Sequence, residues 1–152
     1  MSSQTRRDFL KHTTTAAVTL TAGCANLPHD AQLAKRGPLI VSTWGFGKPA
    51  NKLALRVLQG GGSTLDAVEQ GVRLVESSGN TSVGLSGLPN AAGVVQLDAC
   101  IMNGPGHQAG SVAGVEGVLH PISAARLVME KTPHVMLVGP GAHWFAKQNG
   151  LE

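Results

Sequence analysis

From Pro38 onward the sequence predicts an α/β or α+β layer structure, on three observations. Short apolar runs alternate with stretches of helical periodicity. Glycine makes up 20 of the 152 residues without a Gly-x-y period, which excludes collagen and implies tight turns or close backbone approaches. Hydrophobic residues are 42% and charged residues 14%, against a usual charged share of about 25%, so a disordered polyampholyte or a coiled coil is excluded. The length suits one domain with one core. The net charge is only +3 and the Lys and Arg residues are spread without interleaved aromatics, which argues against a nucleic-acid partner.

Leu39-Ile40-Val41 reads as a buried strand running into Ser42-Thr43-Trp44. Pro49 suits the first position of a helix whose apolar stripe is Ala50, Leu53, Ala54, Val57 and Leu58. Gly60 to Gly62 end that helix. Ser63 and Asp66 then make a capping box, and Leu65, Val68, Val72 and Val75 carry a second, antiparallel helix to Glu76. Residues 77–92 are a Gly, Ser, Asn and Pro loop long enough to suggest function. Two strands, 94–102 and 110–118, flank the Asn103-Gly104 turn as a hairpin. Pro121 opens a third helix with Ile122, Ala125, Leu127, Val128 and Met129 inward, and Pro133 follows its end. Residues 135–138 read as another buried strand, and 142–149 as a short helix stopped by Gly150.

Residues 1–30 have the grammar of an export leader, with 31–37 as a linker. Arg6 and Arg7 precede Asp8-Phe9-Leu10-Lys11, and an uncharged apolar run over 13–23 ends in small residues. Eleven residues are too few to span a bilayer as a helix. The string over 5–11 resembles a twin-arginine export signal, which implies a periplasmic destination. Thr21-Ala22-Gly23-Cys24 resembles a lipoprotein processing box, which would tether the protein to the membrane through a lipid on Cys24. Gly23 and Ala25 equally satisfy an ordinary signal peptidase, which would discard Cys24, and both readings stay open. In either case Cys100 is the one cysteine certain to remain, so no intramolecular disulfide framework is expected.

Most catalytic templates fail on spacing. Gly84-Leu85-Ser86 lacks the second glycine of a serine elbow, since position 88 is Leu. His107, His120, His134 and His143 match no zinc spacing, so no metal site is expected. Cys100 within a strand reads as a small buried hydrophobe. Gly60-Gly61-Gly62-Ser63 has neither a Walker lysine nor a Gly-x-Gly-x-x-Gly, so helix capping explains it and no cofactor is implied. Asp66 and Glu69 read as a cap and a solvated charge, and Arg73 and Glu76 as a surface pair. Asp98 is ambiguous between a buried structural carboxylate and an exposed one.

A set of ordered blocks resembles the glycosylasparaginases over about residues 38–150. It begins with Ser42-Thr43-Trp44-Gly45-Phe46-Gly47 and the helix Gly61-Gly62-Ser63-Thr64-Leu65-Asp66-Ala67-Val68-Glu69. It continues through Ser82-Val83-Gly84, Leu97-Asp98-Ala99-Cys100, Gly110-Ser111-Val112-Ala113 and Pro121-Ile122-Ser123-Ala124-Ala125-Arg126. It closes with Glu130-Lys131-Thr132-Pro133-His134-Val135. Related isoaspartyl peptidases and plant-type asparaginases share several blocks but usually carry His-Gly-Gly-Ala-Gly where this chain has 42–46, so Trp44 favours the glycosylasparaginase reading. Two departures bear on specificity: Asn103 stands where the family tends to have Asp, and Ser86-Gly87-Leu88 replaces a more usual Gly-Gly-x.

The resemblance implies an α+β fold, the α-subunit half of an N-terminal-nucleophile αββα sandwich spanning 38–152. It implies a β-subunit partner whose new N-terminal Thr, freed by autoproteolysis, supplies both hydroxyl nucleophile and amine base. No His-Asp-Thr processing site occurs in the sequence, because His29-Asp30 is followed by Ala31. Catalytic residues are therefore expected outside this chain, which alone should be inactive and fold poorly. Within it, the resemblance assigns Trp44 to the wall of a pocket for a small asparagine-type substrate and Ser82 to a hydroxyl near the nucleophile, with Phe46 as a lesser candidate behind them. Three functions follow: the α portion of an exported amidohydrolase, of glycosylasparaginase or else isoaspartyl peptidase/L-asparaginase type; a non-catalytic envelope protein keeping part of the fold; or a degenerate reading frame.

Overall fold

The computed structural model describes residues 37–152, where four helices and one three-stranded sheet form a mixed α+β unit over Pro38–Glu152. Helix α1 (Gly47–Gln59) starts earlier than Pro49 suggests. The proline sits at its third position, where an N–H would have no intrahelical partner anyway. Helix α2 (Thr64–Glu76) carries the expected capping box: Asp66 N–H donates to Ser63 Oγ at 3.1 Å and Ser63 N–H to Asp66 Oδ2 at 3.0 Å. These bonds to Ser63, with Arg126 adding to them, hold the Asp66 carboxyl down at about 2. The two helices meet at small residues, with Ala50 and Ala54 facing Ala67 and Gly71. Gly71 lies against the Ala50 carbonyl, and the buried stripe runs through Ala67, Gly71 and Val75, so Val68, expected inward, is 48% exposed.

The hairpin is present. Strand β1 (Leu97–Asn103) pairs antiparallel with β2 (Gln108–Val115), with Ile101 opposite Gly110, Cys100 opposite Ser111 and a register shift between Leu97 and Ala99. Helix α3 (Pro121–Lys131) lies across both strands. Gly110 permits that contact, since any Cβ there would collide with the Ala125 carbonyl and the Met129 backbone. Val112, Val115, Val118 and Val128 are fully buried between the layers, each burial worth about 1.5–3 kcal/mol. Strand β3 (Met136–Val138) runs parallel to β2, and helix α4 (Gly139–Gln148) packs on both through Ala142 and Ala146.

Arg126 clips α3 to α2. Its guanidinium reaches Asp66 at 2.7 Å, Glu69 at 2.8 Å and Glu130 at 2.7 Å. Burial alone would lower its pKa, but these bonds outweigh burial and raise it. Glu69 is thus a half-buried member of an ion network, where the sequence suggested a solvated charge.

Three expected burials are not found. Residues 39–41 form no strand, and Leu39 is 87% exposed; among the described residues they have no ladder partner, and an unpaired strand has nothing to satisfy its backbone. Strand β3 is an edge, with Met136 55% and Val138 59% exposed. Cys100 is exposed, because the pleat places it opposite Ile101, which faces α3.

Candidate functional site

The segment before α1 is a tight turn. Ser42 Oγ donates to Asn51 Oδ1, and Gly47 N–H to the Trp44 carbonyl at 2.9 Å, which fixes the backbone that presents Trp44. The indole itself is 67% exposed, so it is not a core residue of this unit. Trp44 and Phe46, with Val72, Val75 and Val83, line a concavity of about 270 Å³.

Ser82 lies on the loop that leaves α2. Its N–H donates to Asn80 Oδ1 at 2.8 Å, and its side chain is exposed. Two residues on, Gly84 adopts φ +72° directly against the Glu76 carbonyl, a position no side chain could share. This contact lays the loop along the end of α2. Ser82, Val83, Gly84, Val72 and Glu76 line a second concavity of about 280 Å³. Because Val72 and Val83 line both concavities, they adjoin, and the structure brings Trp44, Phe46 and Ser82 to one stretch of surface. Cys24 and the stretch expected to be a leader lie outside the described residues.

Glu76 is the residue that sequence reasoning misplaced. It is 4% exposed, and its carboxyl accepts the Ile122 N–H at 3.1 Å on one oxygen and meets His120 Nδ1 at 3.1 Å on the other. His120, the residue before α3, makes no capping bond with its side chain, and Pro121 has no N–H to cap. The carboxyl of another helix therefore caps α3, where negative charge suits the helix dipole. Arg73, expected as its surface partner, instead reaches Ser123 at 3.2 Å and Glu69 at 3.9 Å. A helix opening with Pro but no Ser, Thr, Asp or Asn before it was the available sequence signal for a cap from elsewhere.

Burial pushes the Glu76 carboxyl up to about 7, against the bond from Ile122 and the charge of Arg73. Burial, then Arg73, lowers the pKa of His120. Both shifts disfavour charge, so the pair holds a neutral imidazole beside a carboxyl that titrates near neutrality. Asp98 is exposed and accepts the Gly114 N–H at 2.7 Å where the hairpin register slips, so it is not a buried carboxylate.

A family model described as Asparaginase matches residues 15–152. The chain is 49% identical over 152 residues to the N(4)-(Beta-N-acetylglucosaminyl)-L-asparaginase of Elizabethkingia miricola, covering 97% of this chain and 44% of that protein. It is 46% identical over 96 residues to the isoaspartyl peptidase of Salmonella typhimurium, covering 63% of this chain and 31% of that protein. To the isoaspartyl peptidase/L-asparaginase of Rattus norvegicus it is 37% identical over 130 residues, covering 85% and 36%. The chain thus spans less than half the length of these curated relatives. With a family match over residues 15–152, the chain belongs to the asparaginase family.

Proposed function

We propose that this chain is the α portion of an exported amidohydrolase that cleaves the amide between N-acetylglucosamine and asparagine. The observation that carries the reading is Trp44 on the turn before α1, adjoining the Ser82 concavity, in place of a His-Gly-Gly-Ala-Gly stretch. The extent of its likeness to a glycosylasparaginase supports the same choice. In this reading Trp44 and Phe46 wall the substrate pocket. The Ser82 hydroxyl hydrogen-bonds near the nucleophile.

The nucleophile is an N-terminal Thr on a β subunit. Its amine takes the hydroxyl proton, the oxygen attacks the side-chain amide carbonyl, and the amide nitrogen leaves protonated as the acyl-enzyme ester forms. Water then releases aspartate. Donors that hold the oxyanion and groups that hold the α-carboxylate and α-amine come from the β subunit.

The sheet supports an αββα sandwich. α3 covers one face, while Met102, Met136 and Val138 stand on the other, apolar and uncovered. A second sheet from the β subunit would bury them. The leader would deliver the protein to the periplasm, with or without a Cys24 tether; Arg6→Lys with Arg7→Lys should strand it in the cytoplasm, and an unchanged periplasmic yield would remove this part of the reading.

The same family supports a second substrate, β-aspartyl peptides or asparagine, through the likeness to isoaspartyl peptidases and the departures at Asn103 and Ser86-Gly87-Leu88. The assembled protein, offered N-acetylglucosaminyl-asparagine, a β-aspartyl dipeptide and asparagine in parallel, should release aspartate fastest from the first. Preference for the dipeptide would establish the alternative. No hydrolysis of any of them would leave a non-catalytic envelope role or a degenerate reading frame.

A further inference from the structure

We infer that Glu76 is a positioning residue that holds the Ser82 loop at the mouth of its concavity, an inference that deepens the amidohydrolase reading and rests on it for the role of Ser82. Glu76 is the last residue of α2 and works in two directions. Its carbonyl oxygen is packed against Gly84, so the loop carrying Ser82 is seated on its backbone. Its carboxyl is bonded at 3.1 Å to the Ile122 N–H and lies 3.1 Å from His120 Nδ1, so the same residue is fastened to the start of α3. The residue and Ser82 line one concavity. A purely stabilising cap would need only the second set of contacts.

The groups that face this joint are Arg73 and Glu69 on α2, His120 before α3, Asp98 on β1 and Glu152 at the chain end. None of them replaces the carboxyl, since Arg73 is engaged with Ser123 and Glu69, and Asp98 with Gly114. Shortening the side chain by one methylene therefore draws the carboxyl away from Ile122 and His120 while keeping the acid group, with the Arg126 clip between α2 and α3 still in place. The loop should loosen with it.

The test uses the assembled protein with Glu76→Asp and Glu76→Gln. Glu76→Asp should raise amide exchange at Ser82 and Gly84 roughly tenfold and raise KM several-fold with a smaller change in kcat, as expected when positioning is lost and chemistry is not. Glu76→Gln keeps an acceptor for Ile122 and a donor for His120, so it should return exchange and KM to within about twofold of the parent. Adding Ser82→Ala to Glu76→Asp should raise KM no further than Ser82→Ala alone, because both act through one hydroxyl. Unchanged exchange at Ser82 in Glu76→Asp, or additive losses in the double variant, would overturn the inference. A parent without amidase activity would sink the functional reading alone, and the exchange measurement would still decide whether Glu76 holds the loop.

Discussion

The two faces of the sheet are built from alternate residues of the same strands, yet they end in opposite environments. Ile101, Gly110 and Val112 face α3 and are buried. Their neighbours Cys100, Met102 and Met136 face away and are exposed, Met102 at 71%. The difference teaches that an apolar strand pattern predicts burial wherever it occurs, while among the described residues the cover, α3, is supplied on one face of the sheet. The same holds for Leu39 and Val41, an apolar run that reads as a strand and finds no strand beside it among the described residues.

Breaking the covered face should have the largest effect. Gly110→Val would drive a branched side chain into the Ala125 carbonyl and the backbone of Met129, and should cost about 4 kcal/mol or more, enough to leave no folded unit in a urea titration followed by circular dichroism. Val128→Ala, which removes two methyl groups from a fully buried position, should cost about 2–3 kcal/mol by the same measurement. On the uncovered face, Met102→Lys with Val138→Lys should change the urea midpoint of the chain by no more than ~0.5 kcal/mol equivalent. The pair should nevertheless lower binding of an apolar dye and weaken association with a β subunit, measured by co-purification. A large loss of stability there would mean that this face is already covered.

The hairpin, the capping box and the proline start of α3 were legible because each is a local signal: alternation with a turn, Ser63 with Asp66, and Pro121 at the first helical position. Glu76 was not, because its partners Ile122 and His120 are more than forty residues away and nothing local distinguishes a buried carboxyl from a solvated one. Of the candidate site, Trp44, Phe46 and Ser82 came from family resemblance. Composition and spacing alone would have made the two aromatics core and the serine a loop hydroxyl.

Smaller effects sharpen the joint between the faces. Because the Glu76 carboxyl titrates higher in the folded chain than the ordinary value of 4.5, its contribution is fully present below pH 4.5 and is lost as pH rises through about 7. Stability of the parent relative to Glu76→Gln should therefore fall across that window by at most about 1.4 kcal/mol per pH unit. His120 acts oppositely, since its lowered pKa means stability is lost as pH falls below 6.5, so only the difference between the two proteins isolates Glu76. A flat difference between pH 4.5 and 7.5 would show that the carboxyl is not held neutral. Smallest of all should be the stability change in Trp44→Ala, under ~0.5 kcal/mol for an exposed side chain, with turnover of a small asparagine substrate reduced far more. A stability loss without that kinetic effect would return Trp44 to a packing role.

The most direct test of the α-portion reading is aspartate release from N-acetylglucosaminyl-asparagine by the 152-residue chain, alone and co-expressed with a β half that begins with Thr. The predicted result is no release by the chain alone and measurable release by the pair, because the nucleophile and its base arrive with the second half. Turnover by the chain alone would contradict the account.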